Sequence, residues 1–406
     1  MNRREFLCAA GLSLLPLGNN GWAVSSPGTN KRLVVVFLRG AVDGLNVVAP
    51  YNETLYYESR PSIAIPRPGT EGGLLDLDGF FGLHPALSAL MPLWQQKSLA
   101  FVHASGSSDP NRSHFDAQDY MESGTPGIKS TPDGWMNRLL AVLPGERKPT
   151  GAISIGATLP RIMSGKMTVA NLTLGQNTVR PMALDRPVIA KYFDTLYAND
   201  DALGKTYQAG RNMRGQLLTD LQKDMIAADN GAPTSVGFPS DARLLARMIG
   251  RDPNIKLAFL ALGGWDTHVN QGSSQGQLAN HLNPLGEGLA ILARELVSDF
   301  TNTTVLVMSE FGRTVRENGN GGTDHGHGNV MWLLGGSIGG GKVYGHWPGL
   351  DEIDLYQGRD LEVTTDFRSV ATNILRQQFG LDDAQLGHVF PDFHATNASL
   401  TGLVKV

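Results

Sequence analysis

Short, β-branched apolar runs punctuate this chain, and they constrain its fold more than any other feature. Leu33-Val34-Val35-Val36-Phe37-Leu38, Leu99-Ala100-Phe101-Val102, Ala152-Ile153-Ser154-Ile155, residues 256–262 and Thr303-Thr304-Val305-Leu306-Val307-Met308 lack the polar alternation of a half-exposed strand. Runs of this length and kind suit strands covered on both faces, as in a parallel sheet. Between them, helical spacing of apolar residues covers 85–96, 135–143, 213–228, 241–249, 276–300 and 366–379. Strand and helix alternate, which predicts an α/β fold: a doubly wound, mostly parallel sheet sandwiched by helices. With 406 residues, 41% of them hydrophobic, there is ample material for a large core. A single domain is expected over 26–406. Its least regular part, 156–240, would suit a helical insertion or cap.

Residues 1–25 read as an export signal: a charged start containing Arg3-Arg4, an apolar stretch over 6–17, and Ala23-Val24-Ser25 for cleavage. The apolar stretch is shorter than the roughly 20 residues a membrane span needs, and no later segment looks transmembrane. The Arg-Arg-Glu-Phe-Leu order favours the twin-arginine translocase and a periplasmic or extracellular destination. Cys8, the only cysteine, lies in this leader, so the mature protein has no thiolate. A metal ion must then be held by His, Asp, Glu or backbone oxygen, which favours zinc, manganese, calcium or magnesium over iron–sulfur or copper(I) centres. The net charge of −4 gives no basic footprint, so nucleic acid is not an expected partner.

In an open parallel sheet, ligands bind beyond the carboxyl ends of the strands. Read in that light, the strand exits carry the chemistry. The first leads into Arg39-Gly40-Ala41-Val42-Asp43, the second into His103 and then Asp109-Pro110-Asn111-Arg112-Ser113-His114, the fourth into Trp265-Asp266-Thr267-His268, and the fifth into Ser309-Glu310-Phe311-Gly312-Arg313. A glycine-rich stretch at 317–350 holds Asp324-His325-Gly326-His327, and its length argues for function. Asp266 and His268, like His325 and His327, stand two apart, so in an extended loop each pair can face one side. Ser113 precedes a segment that can begin a helix. It would either cap the free amides there or use the positive end of that helix, with a metal nearby, as a nucleophile. Ser108, in Ser-Asp-Pro-Asn-Arg112, is the second choice. Arg39, Arg112 and Arg313 would either clamp an oxyacid or make ordinary salt bridges. Residues 336–342 imitate the start of a phosphate-cradling loop, but Val343 stands where Ser or Thr should bind magnesium, and that reading is rejected.

Phe-Leu-Arg-Gly-Ala-Val-Asp-Gly-Leu-Asn, Arg-Ser-His-Phe-Asp-Ala-Gln-Asp, Gly-Gly-Trp-Asp-Thr-His, Ser-Glu-Phe-Gly-Arg-Thr and Gly-Thr-Asp-His-Gly-His-Gly, with the twin-arginine start, resemble the bacterial family called domain of unknown function 1501. That family looks like a branch of the alkaline phosphatase and sulfatase superfamily. The resemblance implies an alkaline-phosphatase-like fold, with Asp43 as first-strand ligand and Ser113 as nucleophile. Asp266 and His268 would be the middle pair, Glu310 the later carboxylate, and His325 or His327 the last histidine. Phosphatases usually follow the later carboxylate with His, whereas this chain has Phe311. The expectation is therefore an exported metal-dependent hydrolase of phosphate or sulfate esters, acting on a small-molecule or polymer-borne anionic ester. Ser113, His114 and Arg313 would be catalytic. Asp43, Asp266, His268, Glu310, Asp324, His325 and His327 would hold one or two divalent ions, zinc first, manganese or calcium next. The rivals are a non-catalytic periplasmic binding protein on the same fold and a phosphomutase-like transferase.

Overall fold

Strand β1 (Arg32–Leu38) lies at the centre of the fold and is buried along its whole length. The computed structural model describes residues 31–144, 149–172, 227–396 and 398–405. The expected leader, most of the helix expected at 213–228 and most of the expected cap lie outside them.

Around β1 are β2 (Leu99–Gly106), β3 (Ala152–Ile155), β4 (Ala170–Leu172), β5 (Leu257–Leu262), β6 (Thr303–Ser309), β7 (Asn329–Leu334), β8 (Lys342–Tyr344) and β9 (Thr365–Asp366). Among the described residues they form one nine-stranded sheet in the order β8-β2-β7-β6-β1-β5-β3-β4, with β9 also pairing with β2. β1 runs parallel to both of its neighbours, β5 and β6. β7 alone is reversed, antiparallel to β2 and to β6.

Alternate side chains of β1 divide between two cores, as the period of two along a strand requires. Val34, Val36 and Leu38 join Phe238, Leu245, Leu282 and Leu289 on one face. These come from α3 (Phe238–Arg251) and α4 (Gln277–Glu295). Leu33, Val35 and Phe37 join Trp135, Leu139, Ile374 and Val389 on the other. Here the cover is α2 (Trp135–Val142), α5 (Phe367–Phe379) and α6 (Asp383–Val389). The doubly wound, mostly parallel architecture expected from the sequence is the one observed. No helix among the described residues is long and apolar enough to cross a membrane.

Two expectations need correction. The glycine-rich 317–350 stretch is not loop throughout, because it contains β7 and β8; β7 reads Asn-Val-Met-Trp-Leu-Leu and is fully buried. The helix expected over 276–300 ends at Glu295, and a 3₁₀ turn, Val297–Asn302, carries the chain into β6.

Helices α3 and α4 approach closely at Gly288, where a Cβ would stand 2.2 Å from the ring of the buried Phe238. Gly288→Ala should therefore lower stability by about 1–3 kcal/mol through overpacking, despite a gain of about 1 kcal/mol in helix propensity. A fall in the denaturant midpoint with an unchanged slope is the expected result.

Candidate metal centre

Reversal of β7 explains how distant segments meet. Its starting end lies at the rim where the parallel strands finish, so the loop before it arrives beside the exits of β5 and β6. Backbone hydrogen bonds fix that loop on both sides: Thr323 N–H to Thr267 O at 3.2 Å, Thr314 N–H to Asp324 O at 2.9 Å and Gly326 N–H to Gly312 O at 2.8 Å. Two glycines permit the approach. A Cβ at Gly322 would lie 2.5 Å from the carbonyl of Thr267, and one at Gly326 would lie 2.4 Å from the carbonyl carbon of Arg313.

At this rim His114, Asp266 and His325 offer ligand atoms that all lie within 4.8 Å of one another. His325 Nε2 stands 2.9 Å from His114 Nε2 and 3.3 Å from Asp266 Oδ1. His268 Nε2 adjoins this group, 3.0 Å from His325 Nε2 and 2.9 Å from Asp266 Oδ1. Donors about 2.0–2.2 Å from a tetrahedral ion stand roughly 3.4 Å apart, so the spacing suits one small cation.

The other ring nitrogens decide what these atoms are. His114 Nδ1 meets Glu310 Oε1 at 2.7 Å, His268 Nδ1 meets Asp324 Oδ1 at 3.2 Å, and His325 Nδ1 meets the Arg112 carbonyl at 2.9 Å. Each partner is an acceptor, so each neutral ring carries its proton on Nδ1 and turns an Nε2 lone pair inward. Asp266 Oδ2 is buried without a hydrogen-bond partner, although Oδ1 accepts from Arg313 Nη1 at 2.6 Å. Several lone pairs and an orphaned carboxylate oxygen facing one point fit a divalent ion.

The residues expected at the site divide into several groups. His268, His325 and Asp266 converge, and His114, expected to be catalytic, joins them through Nε2. Glu310 Oε1 is engaged by His114, the Gly40 N–H at 2.8 Å and the Gln118 amide at 2.9 Å, so Glu310 stands behind His114. Asp324 supports His268 in the same way. Asp43 is engaged elsewhere: Arg60 grips both of its oxygens, at 2.5 and 3.1 Å, and Gln271 donates to it at 2.6 Å. His327 lies tilted against Tyr356 with ring centroids 4.4 Å apart, outside the converging group.

Arg313 is 1% exposed and binds Asp266, the Thr323 hydroxyl and the Thr323 carbonyl, so it has no face for a substrate. Arg39 is likewise committed to Glu122, at 2.5 Å, and to Gln118. Ser113 is exposed at the start of α1 (His114–Ser123), and its side chain makes no capping bond. Ser108 accepts from Arg368 at 3.4 Å.

Sequence reasoning missed Asp229, Gln271, Thr323 and Asp360. Asp229 accepts from Gly264 N–H at 2.7 Å, and burial, helped by the charges of Asp266 and Glu310, pushes it up to about 7. No spacing pattern pointed to any of them.

Electrostatics follow from the same contacts. Burial works against the charge on Asp266, but three imidazoles and Arg313 hold it well below the carboxylate range. His268 holds Asp324 down at about 2. Burial lowers His325, and lowers His327 to about 4.

Residues 30–392 match the family described as "Protein of unknown function (DUF1501)", and the chain belongs to it, as its motifs suggested. No curated protein matches its sequence. Among solved structures it is similar to Ps i-CgsB in complex with k-i-k-neocarrahexaose, with a TM-score of 0.44 and 11% identity, over 91% of this chain and 75% of that one. It is similar to the C-terminal periplasmic domain of EcEptC from Escherichia coli, with a TM-score of 0.40 and 13% identity, over 90% and 88%. It is also similar to a protein in the alkaline phosphatase superfamily from Vibrio parahaemolyticus, with a TM-score of 0.39 and 11% identity, over 79% and 65%.

Without an ion, the cluster takes up protons. Burial alone would discharge His114, but Asp266 and Glu310 outweigh it and lift the group from 6.5 to about 9. Asp266 and Asp324 lift His268 in the same direction against burial. A group lifted on folding stabilises fully below its unfolded value and loses that contribution as pH rises through its folded value. The Tm of chelator-treated protein should thus fall between pH 6.5 and pH 9, by about 3 °C or more, and His114→Gln should remove most of the slope. A flat wild-type profile across that window would sink the protonated cluster.

Proposed function

We propose that this protein is an exported, metal-dependent hydrolase of phosphate or sulfate esters, with zinc held by His114, Asp266, His268 and His325. One observation carries the reading: three imidazole Nε2 atoms converge beside Asp266 while each Nδ1 is already tied to an acceptor. A bound divalent ion would supply Lewis acidity there, stabilising negative charge on an ester oxygen.

The chain's own groups supply the rest. Ser113 is the nucleophile we assign, because it adjoins His114 and presents an uncommitted side chain at the positive end of α1. Arg313 orients rather than binds substrate: it grips Asp266 Oδ1, which also faces His268 and His325, while Oδ2 stands 3.6 Å from His114 Nε2 without a hydrogen-bond partner. Glu310 and Asp324 hold the His114 and His268 rings with Nε2 facing inward, as outer carboxylates do in histidine metal sites. The Arg3-Arg4 leader supports export through the twin-arginine translocase, which carries folded proteins.

Elemental analysis of the purified protein, then assay on aryl phosphates, phosphodiesters and aryl sulfates, tests the reading. The expected result is a stoichiometric transition metal and hydrolysis of at least one class. His325→Ala should lose the metal, and Glu310→Gln should weaken its retention about 10–100-fold. Ser113→Ala should abolish turnover while keeping the metal. Turnover that survives this change refutes the nucleophile assignment, and protein without stoichiometric metal refutes the centre. Metal without turnover on any ester leaves a binding protein on the same fold.

A further inference from the structure

Behind His325 lies a second group that the converging centre does not use. Asp360, with its side chain 0% exposed, holds two arginines at once. Its Oδ2 accepts from Arg112 Nε at 3.1 Å, Arg112 Nη2 at 2.5 Å and Arg359 Nη2 at 3.0 Å, while Oδ1 accepts from Arg359 Nε at 2.9 Å. Asp360 is itself anchored: its carbonyl accepts the Tyr356 N–H at 2.8 Å, and its backbone bridges to Thr314. One carboxylate faces two guanidinium groups, which leaves a net positive charge at a buried anchor.

Both arginine side chains reach solvent, Arg112 at 30% and Arg359 at 45% exposed. Arg112 also donates through Nη2 to Gln357 at 2.9 Å, and Arg359 through Nη2 to the His325 carbonyl at 2.7 Å. The Nη1 group of each has no hydrogen-bond partner among the described residues. Each guanidinium is thus held through Nε and Nη2, which leaves its Nη1 hydrogens as free donors. A tetrahedral oxyanion that accepts from both Nη1 groups offsets the repulsion between the two charges.

His325 fixes where this group sits relative to the centre. Its Nε2 faces Asp266 and the other imidazoles, whereas its Nδ1 meets the Arg112 carbonyl and its own carbonyl meets Arg359. The two arginines are thus tied to His325 through Nδ1 and its backbone and not through Nε2, which places their anion apart from the group at Nε2.

We propose that Arg112 and Arg359, locked by Asp360, form a second anion subsite, so that the substrate carries a further sulfate or phosphate group beside the ester that is attacked, as along a polymer of repeating acid esters. The word substrate rests on the hydrolase reading; the anion subsite does not. A purely structural latch for the 354–360 turn is the competing account, and it predicts no affinity for anions.

Calorimetric titration of chelator-treated protein with inorganic sulfate, and separately with inorganic phosphate, tests the subsite without the centre. At least one anion should bind the wild type, with an affinity that falls as sodium chloride is added. Arg359→Gln and Arg112→Gln should each weaken it about tenfold or more, and Arg359→Lys, which keeps charge but not the fork, should fall between. Dextran sulfate should bind more tightly than inorganic sulfate, and unsubstituted dextran should not bind. The proposal is overturned if the wild type binds neither inorganic anion, or if the folded double variant Arg112→Gln/Arg359→Gln binds as the wild type does. Anion binding without ester turnover would sink the hydrolase reading alone, and turnover with anion affinity indifferent to both arginines would sink the subsite alone.

Discussion

Imidazole nitrogens held at hydrogen-bond distance from one another need a positive charge among them, and the rest of this rim is built around that requirement. The constraint is imposed from outside the cluster. Glu310, Asp324 and the Arg112 carbonyl each accept from an Nδ1, so no ring can turn its own proton inward without breaking that hydrogen bond. Asp266 brings negative charge to the same point, and Arg313 offsets only one of its oxygens. The charge that completes the arrangement is either protons, which titrate away as pH rises, or a metal ion, which does not.

Buried ion pairs in this protein serve geometry more than stability. Arg60 with Asp43 and Arg313 with Asp266 are almost fully removed from water. Taking such charges out of water costs several kcal/mol per ion, which their attraction roughly offsets. Their contribution is direction. Asp43 binds Gln271, Gln271 accepts from Thr267 and Thr323, and Thr323 accepts from Arg313, so the orientation of Asp266 is tied through hydrogen bonds back to the end of β1. That explains a conspicuous carboxylate at the exit of the first strand without making it a ligand.

The sheet was legible in the sequence because fully covered strands write themselves as continuous apolar runs, and β1, β3 and β6 begin and end within a residue of those runs. β7 was missed because glycine-rich flanks hid a strand of six residues. At the rim, Asp266 and His268 were visible as a pair after a strand, and His325 as a residue in a loop too long to be casual. Spacing could not separate His325 from His327, since the difference lies in which neighbours each ring meets after the chain turns. Nor could it show that Glu310 stands behind His114, or that Arg313 faces inward. Arg359 and Asp360 carry no periodic signal at all, because their partner Arg112 lies 248 residues from Asp360 in sequence.

The reversed direction of β7 has one more effect. A loop that merely left the sheet would be free to close around its cargo, but the one bearing His325 leaves β6 and re-enters the sheet through β7, pinned at both feet by neighbouring strands. The placing of the side chains at the rim is therefore decided when the strands zip together. A cation bound there would enter a finished receptacle instead of organising an unfinished one.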